Sequence, residues 1–167
     1  YPPEFIYYKT LFHLFEKFLE GQEEAGLLNE VKQTLIDTQI WRTLFEFQRD
    51  GVGGAINKII KHNGCIIADS VGLGKTYEAL AIIKYFELKN DKVLVLCPKK
   101  LSDNWTVYQA HKHDVLNPLE KDRFGYTVMY HTDLSRESGH SSADNVNLQT
   151  FNWGAFDLIV IDESHNF

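Results

Sequence analysis

The spacing of apolar and polar residues along the 167-residue chain changes character near residue 65. Before that point the period is helical. Phe5, Tyr8, Phe12, Phe15 and Leu19 form one stripe over residues 3–20, with Leu11, Leu14 and Phe18 beside it, and Pro2 and Pro3 suit a helix start. Gly21 to Gly26 reads as a connection, and Leu27, Leu28, Val31, Leu35 and Ile36 give a second amphipathic helix. These stretches predict a helical hairpin over residues 1–40, packed on the main domain or linking it to an upstream one. Its aromatic stripe reads as core. Residues 41–60 continue at helical spacing through Val52, Ala55, Ile56, Ile59 and Ile60. Gly51, Gly53 and Gly54 weaken the first turns or permit close backbone approach, and Asn63-Gly64 predicts the helix stop.

From residue 65 onward, short continuous apolar runs predict strands: Cys65 to Ala68, Val93 to Cys97, Tyr126 to Tyr130, and the run from Asp157 through Ile161. The first two read as buried strands, and the last has the pattern of a strand buried on both faces. Between the first two lies a helix over about Lys75 to Leu88, with Ala79, Leu80, Ile82, Ile83 and Phe86 inside, followed by a turn at Asn90-Asp91. Strand, helix and strand at this spacing make a βαβ unit, hence a parallel sheet with a right-handed crossover. The fold class is therefore α/β, a parallel sheet flanked by helices. Ser102 is placed to cap a helix carrying Trp105 and Tyr108. Residues 135–149, SRESGHSSADNVNLQ, are rich in turn formers and predict a mobile surface loop.

Composition narrows the class. With 44% hydrophobic and 13% aromatic residues the chain can build a core, and it has the size of one domain, or one domain plus an appendage. No apolar run approaches the ~18 residues of a membrane span, and YPPEFIYY has neither the basic region nor the cleavage site of a secretory signal. Cys65 and Cys97 both fall in predicted strands and read as reduced core thiols, which fits a cytosolic chain. A net charge of −6 argues against coating nucleic acid by bulk charge, while leaving room for a local contact with its backbone.

The candidate chemistry gathers at two places. Gly72-Leu73-Gly74-Lys75-Thr76 joins the first strand to the helix, the arrangement of a phosphate cradle. Backbone N–H groups from Gly72 to Thr76 would point at phosphate oxygens, Lys75 at the β- and γ-phosphates, and the Thr76 hydroxyl at Mg²⁺. The general phosphate-loop pattern wants Gly where this chain has Asp69. At the other place Asp162 and Glu163 end the last strand, where parallel sheets bind ligands. There a first carboxylate can hold Mg²⁺ through water, and a second can orient or deprotonate an attacking water. Lys99, Lys100, Ser102 and Asn104 follow the second strand on the same rim, read either as a nucleic-acid contact or as a capped helix with solvated lysines. The Gln48 amide can read an adenine edge, although alone it is an ordinary exposed side chain. His111-Lys112-His113-Asp114 lacks partners at metal-ligand spacing and reads as a solvated helix end.

These segments, in this order, resemble the first RecA-like lobe of a superfamily-two helicase of the Swi/Snf-like branch. ADSVGLGKT is similar to that branch's first motif, with Ser70 in place of the usual Glu and with Asp69 as the branch tolerates. VLVLCPKKLSDNW, DESH and FEFQRDGV resemble its next motif, its second nucleotide motif and its adenine-reading segment. The likeness covers roughly residues 41–167, and within the branch it is to bacterial members, often with a phospholipase-D-like nuclease domain upstream. The resemblance implies an ATPase that moves along or remodels nucleic acid, most often duplex DNA, in the cytosol or nucleoid. It implies that Gln48 reads adenine, Lys75 binds phosphates, Thr76 and Asp162 hold Mg²⁺, and Glu163 activates water. His165 would link nucleotide state to a second RecA-like lobe, and Lys99 to Asn104 would lie near the nucleic-acid backbone. The family places another strand between the phosphate-loop strand and the DESH strand, and an arginine finger on its second lobe. The expectation is a fragment of a larger protein that binds nucleotide weakly or moderately and hydrolyses it little or not at all.

Three other readings remain at this stage. One is a related motor on RNA, against which DESH weighs because RNA-unwinding relatives more often carry D-E-A-D. Another is a nucleotide-gated binding module or scaffold, against which the full set Lys75, Thr76, Asp162 and Glu163 weighs. The last is a GTPase or small-molecule kinase, hinted at only by Asn57-Lys58, with Ile60 where a guanine-reading motif needs Asp.

Overall fold

A computed structural model describes residues 6, 21, 23–68 and 74–164. The stripe over residues 3–20, the loop residues Gly72 and Leu73, and His165 fall outside these, apart from Ile6, which is helical. The second predicted helix is present as α1 (23–35), which buries Val31 and Leu35 and leaves Leu28 and Ile36 exposed.

The helical run after it is broken in two. α2 (Gln39–Thr43) ends where Leu44 and Phe45 turn extended (ψ 141° and 162°), and α3 (Glu46–His62) starts afresh. Thr38 caps α2 through Trp41 N, while the Asp122 carboxylate accepts the backbone N–H groups of Gln39 and Ile40, both at 2.6 Å. Those orphan donors of the first turn thus find a partner far along the chain. α3 ends at Asn63 in the left-handed region (φ 59°), as the Asn63-Gly64 pair predicts. A Cβ on Gly53 would collide with Leu28 of α1, so Gly53 is where these two helices come close.

α4 (Lys75–Leu88) has the predicted bounds. It packs on α3 and across β1 (Val93–Cys97) and, in the sheet's third strand, β5 (Leu158–Ile161). A four-residue helix α5 (Asp103–Thr106) follows β1, then β2 (Thr127–Tyr130), a small hairpin β3 (His140–Ser141) with β4 (Val146–Asn147), and finally β5. The main sheet has the order β2-β1-β5 and is parallel throughout, with Leu94 opposite both Thr127 and Ile159. Parallel pairing with α4 on one face bears out the α/β expectation.

The register assigns the faces. Val93, Val95, Cys97, Val128, Leu158 and Val160 join the core formed with Leu80, Ala81 and Ile83 of α4. Leu94, Leu96 and Met129 face the other way, onto Leu148, Phe151 and Phe156. That second cover does not extend over β5, whose Ile159 and Ile161 remain 49% and 39% exposed. β5 is therefore buried on one face only, against the expectation from its unbroken apolar run.

The predicted strand Cys65–Ala68 also needs correction. It pairs with no strand among the described residues, and Ile66 is 87% exposed, although Cys65 and Ile67 pack against the main core. The resemblance puts a further strand between this segment and β5, and among the described residues none occupies that place. Without a neighbour to share its ladder, an apolar β-branched run has no sheet to join.

The polar stretch 135–149 is not a loose loop. Ser141, Ala143 and Leu148 are buried, and Asp144 ties the hairpin inward. Its carboxylate accepts from Val128 N at 2.7 Å and Gln109 Nε2 at 2.7 Å, and faces Lys112 Nζ at 3.1 Å and His111 Nε2 at 3.3 Å. His111 and Lys112, which read as a solvated helix end, thus partner Asp144. No helix among the described residues is long and apolar enough to cross a membrane.

Candidate nucleotide and nucleic-acid site

The turn before α4 is built around Gly74. Its backbone is left-handed (φ 83°), a conformation costly for any residue with a Cβ. Its carbonyl accepts from Tyr77 N at 2.8 Å and Glu78 N at 3.2 Å, which launches the helix with Lys75 as its first residue. Lys75 is exposed and Thr76 half-buried at the positive end of a 14-residue helix, where anions are favoured.

Gln48 meets this turn from α3. It is buried (5% exposed), not an ordinary surface residue. Its Oε1 accepts from Phe45 N at 3.0 Å, and its Nε2 stands 2.7 Å from where a Cβ on Gly74 would lie. The glycine and the amide therefore occupy adjoining space, so the sequence-predicted adenine reader lies against the residue that opens α4. Phe45 and Phe47 beside it are exposed and stack nearly parallel, 6.0 Å between centroids.

The second group stands at the C-terminal ends of β1 and β5. Asp162 N donates to Leu96 O at 2.9 Å, fixing the backbone just beyond the strand. The Trp105 indole Nε1–H donates to Asp162 Oδ2 at 3.0 Å, which leaves Oδ1 for another partner. Glu163 is exposed and left-handed (φ 53°), an uncommon state for a residue with a side chain. Cys97, beneath this end of the sheet, has its thiol pushed up to about 12 by burial, with the charge of Asp162 adding to the effect. It is an inert core thiol as expected, whereas Cys65 is only half-buried.

The rim after β1 is rearranged from its predicted form. Lys99 to Leu101 make a single 3-10 turn, and α5 begins without a side-chain cap. Ser102 is buried, and its hydroxyl donates to Lys99 O at 2.9 Å. It therefore shapes the turn and is neither a helix cap nor an exposed contact. Lys99, Lys100 and Asn104 are exposed, with Lys99 Nζ 6.0 Å above the Tyr130 ring.

Sequence reasoning placed Trp105 on a helix and at the end of the VLVLCPKKLSDNW motif, with no contact assigned to it. It is 2% exposed, meets the Tyr126 ring edge-on at 6.3 Å, and its carbonyl accepts from Tyr126 Oη at 2.5 Å. A neighbour does similar work: Tyr108 Oη lies 3.4 Å from Tyr77 Oη on the first turn of α4. Burial and the facing Tyr77 push the Tyr108 phenol up. The only signal for these contacts was the aromatic character of the segment.

The residues fit a nucleotide with Mg²⁺. Among the described residues no group of three or more His, Cys, Asp or Glu could cage a metal ion. The donors present, a hydroxyl on Thr76 and one carboxylate on Asp162, suit a cation that keeps waters and takes oxygens from phosphate.

Residues 17–167 match the SNF2-related domain family. The chain belongs to that family. It is 30% identical over 147 residues to the SWI/SNF-related matrix-associated actin-dependent regulator of chromatin subfamily A-like protein 1 of Xenopus laevis, a match over 83% of this chain and 14% of that protein. It is 32% identical over 133 residues to the DNA annealing helicase and endonuclease ZRANB3 of Homo sapiens, covering 73% and 12%. A bacterial relative, the RNA polymerase-associated protein RapA of Actinobacillus succinogenes, is 27% identical over 120 residues, covering 63% and 12%. The chain thus spans a small part of the length of each. Family membership and the parallel sheet flanked by helices agree with a RecA-like first lobe.

Proposed function

We propose that this SNF2-related chain is the ATP-binding lobe of a DNA-dependent ATPase that moves along or remodels duplex DNA. The observation that supports the reading is the packing of the Gln48 amide against Gly74, the residue that opens α4. In this reading the Gln48 amide recognises adenine. The backbones of Gly72, Leu73 and Gly74 and the start of α4 receive the phosphates, and Lys75 neutralises them. Thr76 and Asp162 would hold Mg²⁺, which draws charge from the phosphoryl group as it transfers.

Glu163 orients and deprotonates the attacking water, while the Trp105 bond holds Asp162 in place beside it. His165 carries the state of the nucleotide to a second RecA-like lobe of the parent chain, which supplies an arginine finger worth roughly 10³–10⁵ in rate. Lys99, Lys100 and Asn104 meet the DNA backbone as a local exposed patch. Such a patch suits a chain whose net charge of −6 gives no bulk attraction.

The experiment is the ATPase rate of the intact parent protein with and without duplex DNA, single-stranded DNA and RNA, at fixed salt. Stimulation by duplex, lost in Glu163→Gln, is the expected result. Stimulation by RNA alone would make it an RNA motor. ATP binding with no stimulation by any nucleic acid would leave a nucleotide-gated scaffold, and normal ATP affinity in Lys75→Ala would remove the reading altogether.

A further inference from the structure

We propose that Trp105 is a positioning residue through which contact on the Lys99–Asn104 rim reaches the Asp162 carboxylate. The proposal rests on the ATPase reading above and adds to it the route by which nucleic acid changes the nucleotide site. The Trp105 side chain has one donor, and that donor is spent on Asp162 Oδ2 at 3.0 Å. Its own place is over-determined: the side chain is buried, the ring is met edge-on by Tyr126, and the carbonyl is held by the Tyr126 hydroxyl.

The residue just before it, Asn104, is exposed on the same four-residue helix, and exposed Lys99 and Lys100 open the turn that leads into that helix. Asn104 is the chain neighbour of Trp105 on that turn, and Lys100 stands in the turn just before it, so a contact made at either bears on the backbone that carries the indole. Because the Asp162 backbone is tied to Leu96 O at 2.9 Å, the freedom left to the carboxylate is rotation of its side chain, and the indole N–H sets that rotation.

A second link strengthens the geometry. Tyr108 lies beyond α5 in the same segment, and its hydroxyl meets that of Tyr77, next to Thr76. The rim segment therefore touches Asp162 through Trp105 and, through Tyr108, the residue that follows Thr76 on α4. Coupling by contact is reciprocal, so nucleotide must affect nucleic-acid affinity by the same factor as the reverse.

The test uses the intact parent protein and a fluorescent adenine nucleotide with Mg²⁺, its Kd read with and without saturating duplex DNA at fixed salt. In the wild type, duplex shifts this Kd by about fivefold or more. In Trp105→Phe, which keeps an apolar ring and removes the N–H, the shift falls below about twofold, because the single charge-assisted bond that transmits it is gone. A Trp105→Phe protein that keeps the wild-type shift overturns the proposal. So does a wild type that binds both ligands and shows no shift, a result that leaves the ATPase reading standing. A wild type that binds no nucleotide removes that reading, and the proposal with it. If Trp105→Phe does not fold, a fluorinated tryptophan at position 105 replaces it. Its fluorine resonance moves on adding Mg²⁺ with nucleotide and again on adding duplex, and a resonance blind to either overturns the proposal.

Discussion

Replacing Gly74 by Ala should weaken nucleotide binding by two separable mechanisms. The first is local. Gly74 is left-handed at φ 83°, and an L-residue there costs about 1–2 kcal/mol. The second is steric. The new Cβ would lie 2.7 Å from Gln48 Nε2, closer than such contacts allow, so the amide must move. Gln48 is buried, and its displacement breaks the 3.0 Å bond from Phe45 N, a further loss of about 1 kcal/mol. Together the terms give about 2–3 kcal/mol, or a Kd roughly 30- to 150-fold weaker. In a Gln48→Ala background only the backbone term is left, about 5- to 30-fold. The assay is a double-mutant cycle on the Kd of a fluorescent adenine nucleotide with Mg²⁺, measured for the intact protein. The expected coupling is about 1 kcal/mol, a factor of about five. A coupling below about twofold would refute the claim that Gln48 and Gly74 share one packed site.

Further perturbations test other parts of the fold. Asp144→Ala removes the acceptor for Val128 N and leaves that buried donor unpaired, so the β3–β4 hairpin and the β2 backbone should loosen by about 2–3 kcal/mol, read from amide exchange at Val128 and residues 140–147. At position 163, where φ is 53°, Gly should be more stable than Ala by about 1 kcal/mol, a difference visible in paired melting curves and opposite in sign to the usual Gly penalty in regular structure. Glu30 on α1 is held below the ordinary carboxylate range, first by its hydrogen bond to Lys89, just past the end of α4, and then by that residue's charge. A depressed pKa contributes stability above the ordinary value and loses it as pH falls through the folded one. Protection of the α1 amides, taken relative to their intrinsic exchange rates at each pH, should therefore fall below about pH 4.5, modestly, because the pair is half-exposed.

What could be read from the chain and what could not divides by the distance over which each feature is decided. α4 was legible to the residue, because Gly74, the apolar period and the turn at Asn90 are local signals. β1 was legible too, since an apolar run flanked by turns is buried whichever way it faces. The runs Cys65–Ala68 and Leu158–Ile161 are written in the same alphabet as β1, yet one has no strand partner among the described residues and the other buries a single face. The difference lies in which elements stand beside them, and no spacing rule within a strand contains that. The same holds for the stretch 135–149. Its composition is that of a loop, but one carboxylate, Asp144, finds donors on Gln109 and Val128 and converts it into a tethered hairpin.

The candidate site follows the same division. Lys75, Thr76, Asp162 and Glu163 could be named because their chemistry dictates residue type and order. What the motifs do not state is how they are held. Gln48 against Gly74 and Trp105 on Asp162 join positions far apart in the chain, and although each residue falls in a motif, no motif states which residue it meets. The contacts bear on function in different ways. The first determines whether a bound base and its phosphates are received by one rigid surface. In the proposed reading, the second makes the orientation of the Asp162 carboxylate depend on the exposed segment where a nucleic-acid backbone would press. An ATPase built as proposed would answer to its track without a long relay, since the rim, the indole and the carboxylate are successive neighbours.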